Sequence, residues 1–279
     1  MRGLKAGVSN RAGQAFDAFV GSAGVAQTLF RYLGQLALLA WETLGSLTGG
    51  RIRWRLALQQ ISAIGFGSQM VVVVTGAFTG AVFTAQAYFQ FANLNMESAI
   101  GPVVTLSMFR ELGPVLTGLM VAGRVGAAMS AEIGTMKVTQ QIDALRALAV
   151  HPVDYLVAPR TLAMLVSMPL LVVECVGCGV LASYFVAVKI LNVDAAYFLG
   201  NMLKFTQSKD ILMALTKGFF FAGVIALVSC REGLHARDGA VGVGRSTTRS
   251  VVIASMTILI LNFFLTMFLN IIFPATSPS

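Results

Sequence analysis

This chain of 279 residues is 56% apolar and only 11% charged, with a mean hydropathy of +0.78 and a net charge of +8. A soluble domain needs about a quarter of its residues charged to cover its surface, so an ordinary soluble enzyme is excluded. The basic residues are spread over three separate segments, which favours contact with anionic lipid headgroups over a nucleic-acid surface.

The N-terminal region, residues 1–68, is predicted to contain one or two amphipathic helices at the cytoplasmic membrane interface. Its apolar run Leu36–Trp41 is too short to cross a bilayer. An alternative is that these helices pack on the rest of the protein, and the two arrangements are compatible. The apolar residues that recur at helical spacing are Phe16, Phe19, Val20, Leu29, Phe30, Leu33 and Leu36.

Five later runs are long enough to span a bilayer as helices, and they lack the alternation of a membrane β-barrel. They are Met70–Phe91, Gly101–Met129, Thr161–Val188, Ile211–Cys230 and Val251–Phe273. We therefore predict an all-α membrane protein, with interfacial helices followed by a five-span domain over residues 69–273 and a short tail over 274–279.

The distribution of lysine and arginine predicts the orientation of these spans. Outside the spans, fourteen lysines and arginines lie before residue 70 or in the connections after the second and fourth spans. The connections on the opposite side hold three, Lys189, Lys204 and Lys209. The N-terminus is therefore expected in the cytoplasm, and the C-terminal tail outside it.

Arg110 and Glu111 stand side by side within the second span, and Lys217 lies within the fourth. A charge at the bilayer centre costs about 3 kcal/mol, and helical neighbours point about 100° apart. Arg110 and Glu111 therefore need separate partners, or water in a cavity. One alternative is an ion network that fixes helix packing, which is compatible with ligand contact. Lys217 would either pair with Glu111 or act as a second point charge.

Two further charges in the spans, Arg124 and Glu174, have separate expected roles. Arg124 is about 20 Å along the helix from Arg110, near the cytoplasmic end, where we expect an interfacial or inter-helix role. Glu174 is protonated, paired or facing a cavity.

No catalytic or metal-ligating set is expected. Cys175 and Cys178 share a redox-like spacing but lie in an apolar helix, which favours packing. The chain has no G-x-x-x-x-G-K-[ST] motif, so it cannot hydrolyse ATP by the P-loop route. The glycines at 239–244 predict a flexible loop, with Ser246 or Thr247 as the N-cap of the fifth span.

The connection AEIGTMKVTQQIDALRALAVHP, which follows the second span, predicts an amphipathic helix over residues 132–148. Such a helix serves as a mechanical link to a separate ATPase in ATP-driven transporters; a surface helix touching only lipid is the alternative. The apolar side comprises Ile133, Met136, Ile142, Leu145 and Leu148.

The stretch ELGPVLTGLMVAGRVGAAMSAEIGTMKVTQQIDAL, residues 111–145, closely resembles the signature of the MlaE/YrbE family of ABC transporter permeases. HPVDYLVAPR at 151–160 and GRSTTRSVV at 244–252 are also similar to that family. The resemblance runs from about residue 51 to residue 273.

The resemblance implies a homodimeric permease in the inner membrane of diderm bacteria. Two ATPase subunits would bind below it, and a ring of mammalian-cell-entry (MCE) proteins, expected to be hexameric, above it. Coupling to the ATPase would involve Glu132, Ile133, Gly134, Met136, Thr139, Ile142, Asp143 and Leu145. A lipid cavity would be lined by Arg110, Glu111 and Lys217, with Arg110 binding phosphate through bidentate hydrogen bonds.

We therefore expect a permease that moves phospholipids between the inner and outer membranes and so maintains outer-membrane lipid asymmetry. Alternatives are a permease for sterols or fatty acids, a non-catalytic scaffold for an MCE assembly, and a membrane enzyme that uses Glu174 or Glu111 as acid or base.

Overall fold

The computed structural model describes residue 27 and residues 30–49, 54–94 and 96–273, and within these ranges the ordered elements are all helical. Five of the helices are long and apolar enough to cross a bilayer. Each of the five apolar runs in the sequence falls on one of them. The expected all-α membrane fold with five spans is confirmed.

The helices follow one another with short connections. They are α1 (30–48), α2 (Trp54–Ala92), α3 (Ile100–Val138), α4 (Gln141–Ala147), α5 (Val153–Ile190), α6 (Ala195–Phe205), α7 (Ser208–Leu234) and α8 (Gly239–Ile272). The expected tail at 274–279, and Phe16, Phe19, Val20 and Leu29 of the expected amphipathic helices, lie outside the described residues. Helix α2 begins at Trp54, well before the expected domain boundary at residue 69.

The prediction of a flexible glycine loop before the fifth span is wrong, because α8 already begins at Gly239. Ser246 and Thr247 are not its N-cap: their hydroxyls donate back to the carbonyls of Val243 and Gly244, at 2.8 and 2.7 Å. A Cβ at Gly242 would lie 1.2 Å from the Arg237 carbonyl oxygen. Glycine is present there because two backbone segments approach closely, not because the chain needs freedom.

The single helix expected over residues 132–148 is divided in two. Helix α3 continues to Val138, and the short α4 begins at Gln141. Thr139 ends α3 and returns its hydroxyl to the Thr135 carbonyl at 2.8 Å, while Gln140 adopts a left-handed backbone with φ of 59°. This left-handed residue turns the chain, so that the first half of the segment is a rigid extension of the second span.

Glycines also set the contact between α2 and α5. A Cβ at Gly76 would lie 2.3 Å from the Cys175 carbonyl oxygen, and one at Gly80 would lie 2.1 Å from that of Gly179. Small residues at this spacing allow helix backbones to approach closely, as the Gly76-x-x-x-Gly80 pattern predicts. The contact is completed by Thr84, whose hydroxyl donates to the Ser183 hydroxyl at 2.6 Å.

Replacing Gly80 by alanine should therefore destabilise the protein by about 1–3 kcal/mol, the usual cost of overpacking. The added methyl meets backbone that cannot rotate away. Gly177→Ala on α5 is the matched control, because a Cβ there meets nothing within 4 Å. Thermal unfolding of the purified protein measures both; equal midpoints for the two variants would contradict the close contact.

Candidate functional site

A polar cluster joins α3, α7 and α8, and we call it the Glu111 cluster; it comprises Glu111, Lys217, Asn262 and Thr266. Lys217 Nζ lies 2.9 Å from Glu111 Oε1 and donates to the Thr266 hydroxyl at 2.7 Å. Asn262 Nδ2 donates to Glu111 Oε2 at 2.7 Å, and the Thr266 hydroxyl donates to Oε1 at 2.9 Å. Both carboxylate oxygens are thus hydrogen-bonded, which lowers the cost of a charge among apolar helices.

The backbone carbonyl of Arg110 belongs to the same cluster because of Pro114. Proline has no N–H, so the helical hydrogen bond from residue 114 to the Arg110 carbonyl cannot form. Lys217 Nζ donates to that carbonyl instead. Around it α3 widens into a π-helical turn, Met108–Leu112, in which the Gly113 N–H bonds the Met108 carbonyl. Such turns occur frequently at functional sites.

Arg110 has a different partner from Glu111. Its Nε donates to Asp210 Oδ1 at 2.7 Å, and the Asp210 side chain is only 1% exposed. The other oxygen of Asp210 accepts the Gln207 N–H at 2.9 Å, within the capping box that begins α7. The adjacent residues Arg110 and Glu111 therefore bind two different positions of α7. Their separation of about 100° around the helix predicts separate partners.

The Glu111 cluster and the neighbouring Arg110 are buried on the α7 side and partly exposed on the α3 side. Lys217 is 2% exposed, whereas the side chains of Glu111 and Arg110 are 39% and 33% exposed. Arg110 uses only Nε, and its two Nη groups make no hydrogen bond within the described part of the chain. A guanidinium with one edge fixed and the other free is suited to bind a phosphate or carboxylate.

Sequence reasoning found Arg110, Glu111 and Lys217 but missed Asp210, Asn262 and Thr266. Asn262 and Thr266 are four residues apart in an uncharged span, which places them on one face of α8. That spacing was the available signal. Asp210 stands directly before the fourth apolar run, where it resembles an ordinary helix-terminal carboxylate.

Arg124 and Glu174 lie apart from the Glu111 cluster. Arg124 lies in a second π-helical turn, Ala122–Gly126, and donates from Nη1 to the Ser68 hydroxyl of α2 at 2.8 Å. This contact fits the expected inter-helix role. Glu174 lines an apolar groove of about 320 Å³ between α2 and α5, together with Gln69.

The residues expected to couple to the ATPase divide into two groups. Ile133, Gly134 and Ile142 are buried inside this chain. Thr139 and Asp143 are exposed, while Met136 and Leu145 are half-buried. Glu132 pairs with Arg160 of α5 at 2.9 Å, which ties the end of α3 to the helix that follows the connection. Glu132 itself and the outer side of the 139–148 segment are thus exposed on this chain.

The family model described as Permease MlaE matches residues 57–268. The chain belongs to the MlaE permease family. Among similar proteins, a probable ABC transporter permease of Rickettsia conorii is 42% identical over 234 residues, which cover 84% of this chain and 90% of the relative. A probable ABC transporter permease of Synechocystis is 41% identical over 216 residues, covering 77% and 82%.

A more distant relative of this MlaE permease is the chloroplast protein TRIGALACTOSYLDIACYLGLYCEROL 1 of Arabidopsis thaliana. It is 36% identical over 231 residues, which cover 83% of this chain and 66% of the relative. With five apolar helices and these relatives, the protein is a multi-pass membrane permease of the ABC transporter class.

Proposed function

We propose that this MlaE-family permease moves phospholipid between the inner and outer membranes of a bacterium, in support of outer-membrane lipid asymmetry. Two copies of the chain form the membrane unit in the inner membrane, with the N-terminus cytoplasmic and the C-terminus periplasmic. ATP and Mg²⁺ bind two partner ATPase subunits, and a hexameric MCE-domain ring receives or delivers the lipid.

The observation that carries this proposal is the free edge of the Arg110 guanidinium. Asp210 holds Nε, which fixes the plane of the group and leaves both Nη donors directed elsewhere. A phospholipid phosphate accepts two parallel hydrogen bonds from such an edge, and its acyl chains need apolar surroundings. The name of the Arabidopsis relative includes a glycerolipid, which is consistent with lipid cargo.

The architecture of α3 supports ATP-driven movement of this site. Helix α3 carries Arg110 and Glu111 near one end and the coupling residues Glu132–Thr139 at the other, about 40 Å apart along one helix. ATPase closure against the 139–148 segment displaces α3 as a rod. The displacement changes the distance from Arg110 to Asp210 and from Glu111 to Lys217, and with it the access of lipid to the free guanidinium edge.

Arg110→Gln should reduce ATP-dependent phospholipid transfer at least tenfold, because about 1.5–3 kcal/mol is lost when a charge-assisted hydrogen bond is removed. The assay follows labelled phospholipid from proteoliposomes that contain the permease and its ATPase to the MCE acceptor. Arg124→Gln is the matched control: it removes the other arginine of α3, whose Nη1 donates to the Ser68 hydroxyl of α2.

Co-purification of the ATPase is measured in the same preparations and should be unchanged. Loss of assembly in Arg110→Gln would favour a packing role for the ion network. Full transfer activity in this variant would overturn the cargo role, and faster transfer of a labelled fatty acid than of phospholipid would replace the proposed cargo by a carboxylate lipid.

A further inference from the structure

A basic cavity of about 280 Å³ lies where α7 ends and α8 begins, and we call it the arginine cavity. The aspartate, glutamate and arginine residues in its lining are Arg231, Glu232, Arg237, Asp238, Arg245 and Arg249. These leave a net charge of +2 around a space large enough for a phosphate group. The cavity is about 30 Å along α7 from Asp210 and is therefore separate from the Arg110 site.

Three of the four arginines lack partners. Arg231 is paired with the adjacent Glu232, which is buried. Arg237, Arg245 and Arg249 make no side-chain hydrogen bond or ion pair with any described residue, and all three are exposed. Arg245 and Arg249 are four residues apart on one helical face, where like charges repel. A bound anion would relieve this repulsion.

The walls of the arginine cavity are held by close packing. Gly242 rests against the Arg237 carbonyl, and a Cβ at Gly134 of α3 would lie 3.3 Å from the Ala236 Cβ and 3.5 Å from the Ser246 Oγ. One turn further, the Ser250 hydroxyl donates to that of Ser229 at 2.9 Å and joins α8 to α7. The guanidinium groups therefore project from a fixed frame, which reduces the entropy lost on binding.

The depth of the arginines indicates what the anion is. The uncharged run of α8 begins at Val251, so Arg249 and Arg245 stand about 3 and 9 Å outside it along the helix. The headgroup layer of a bilayer is about 5–8 Å thick on each side. The arginines are thus at the level of lipid phosphates. The lining contains no Phe, Tyr or Trp on which a nucleotide base would stack.

We propose that the arginine cavity binds the phosphate of an anionic phospholipid in the leaflet at this end of the spans, as a resident lipid and not as cargo. The bound lipid neutralises Arg245 and Arg249 and stabilises the α7–α8 turn against the end of α3. This inference depends on the protein being embedded in a membrane and not on phospholipid transport, so either can fail without the other.

The test uses the full chain, delipidated in detergent and titrated with phosphatidylglycerol or with phosphatidylcholine of the same acyl chains, and native mass spectrometry as the readout. Arg245→Gln and Arg249→Gln should each weaken the apparent affinity for phosphatidylglycerol about fivefold, since one arginine near a membrane surface contributes about 1 kcal/mol. Arg55→Gln, an exposed arginine outside the cavity, is the matched control and should bind as the wild type does.

Three outcomes would overturn the proposal. One is equal phosphatidylglycerol binding in Arg245→Gln, Arg249→Gln and Arg55→Gln. Another is complete displacement of the lipid signal by millimolar inorganic phosphate, which would assign the cavity to a soluble phosphate. The third is unchanged lipid binding with loss of ATPase co-purification in the two cavity variants, which would assign the cavity to an acidic segment of the ATPase.

Discussion

Lys217→Met should lower the stability of the permease by about 3 kcal/mol, at the low end for breaking a buried ion pair because Glu111 stays partly exposed. Methionine preserves the apolar stem of Lys217 but removes the donor that serves the Glu111 carboxylate, the Thr266 hydroxyl and the Arg110 carbonyl. Pro114 cannot supply a replacement donor for that carbonyl. Thermal unfolding in detergent measures the loss, and Lys204→Met, an exposed lysine on α6, is the control.

The double variant Glu111→Gln with Lys217→Met distinguishes the contribution of this ion pair to stability from its contribution to transport. Removing both charges should recover a large part of the lost stability, because no uncompensated charge remains among α3, α7 and α8. Phospholipid transfer should remain impaired if Glu111 and Lys217 act in the transport cycle. A double variant that regains both stability and transfer would show that the pair serves helix packing alone.

Leu148→Asp should weaken ATPase binding by a factor of about 30 or more, as expected for an apolar contact at the centre of an interface. Leu148 directly follows α4 and is 73% exposed, so in this chain alone it packs against little. In the proposed coupling interface, a charge placed there would be buried against the ATPase without a partner. The measurement is the affinity of the purified ATPase for the permease in nanodiscs.

Two further aspartate substitutions, at one exposed and one buried position, serve as controls for this experiment. Leu94→Asp places the same charge at another exposed position, 65% accessible, in the connection between α2 and α3, and should leave ATPase affinity unchanged. Ile142 lies on α4 but is fully buried, so Ile142→Asp should lower the stability of the permease instead of acting through the ATPase contact. Equal ATPase affinity for Leu148→Asp and the wild type would remove the 139–148 segment from the coupling interface.

The five spans were predictable because hydrophobic length is a local property, but the helix limits were not. Helices α2 and α8 continue well beyond their apolar runs, into the polar stretches that begin at Trp54 and Gly239. The glycines of α8 resemble loop residues in the sequence. The role of Gly242 depends on the Arg237 carbonyl, which is brought against it by the tight turn after α7.

For the site, the sequence predicted that Arg110 and Glu111 have separate partners and that Lys217 is available to one of them. Both follow from helix geometry and from the cost of an unpaired charge in a bilayer. The sequence could not predict that Asp210 binds Arg110, or that Asn262 and Thr266 donate the remaining hydrogen bonds to the Glu111 carboxylate. Those contacts depend on how α7 and α8 are placed against α3, which no local pattern specifies.

The two π-helical turns of α3 also change how its surface is to be mapped. Each turn accommodates one residue more than an α-helical turn does, so every later side chain is rotated by about 100° relative to an uninterrupted helix. A helical wheel that treats residues 100–138 as one regular α-helix therefore places Glu132 and Met136 about 200° from their actual directions relative to Ile100. Deleting one residue from either wide turn would rotate the part of α3 that follows it by about 100° against the part that precedes it, and would turn the proposed coupling residues to another direction without changing any of them.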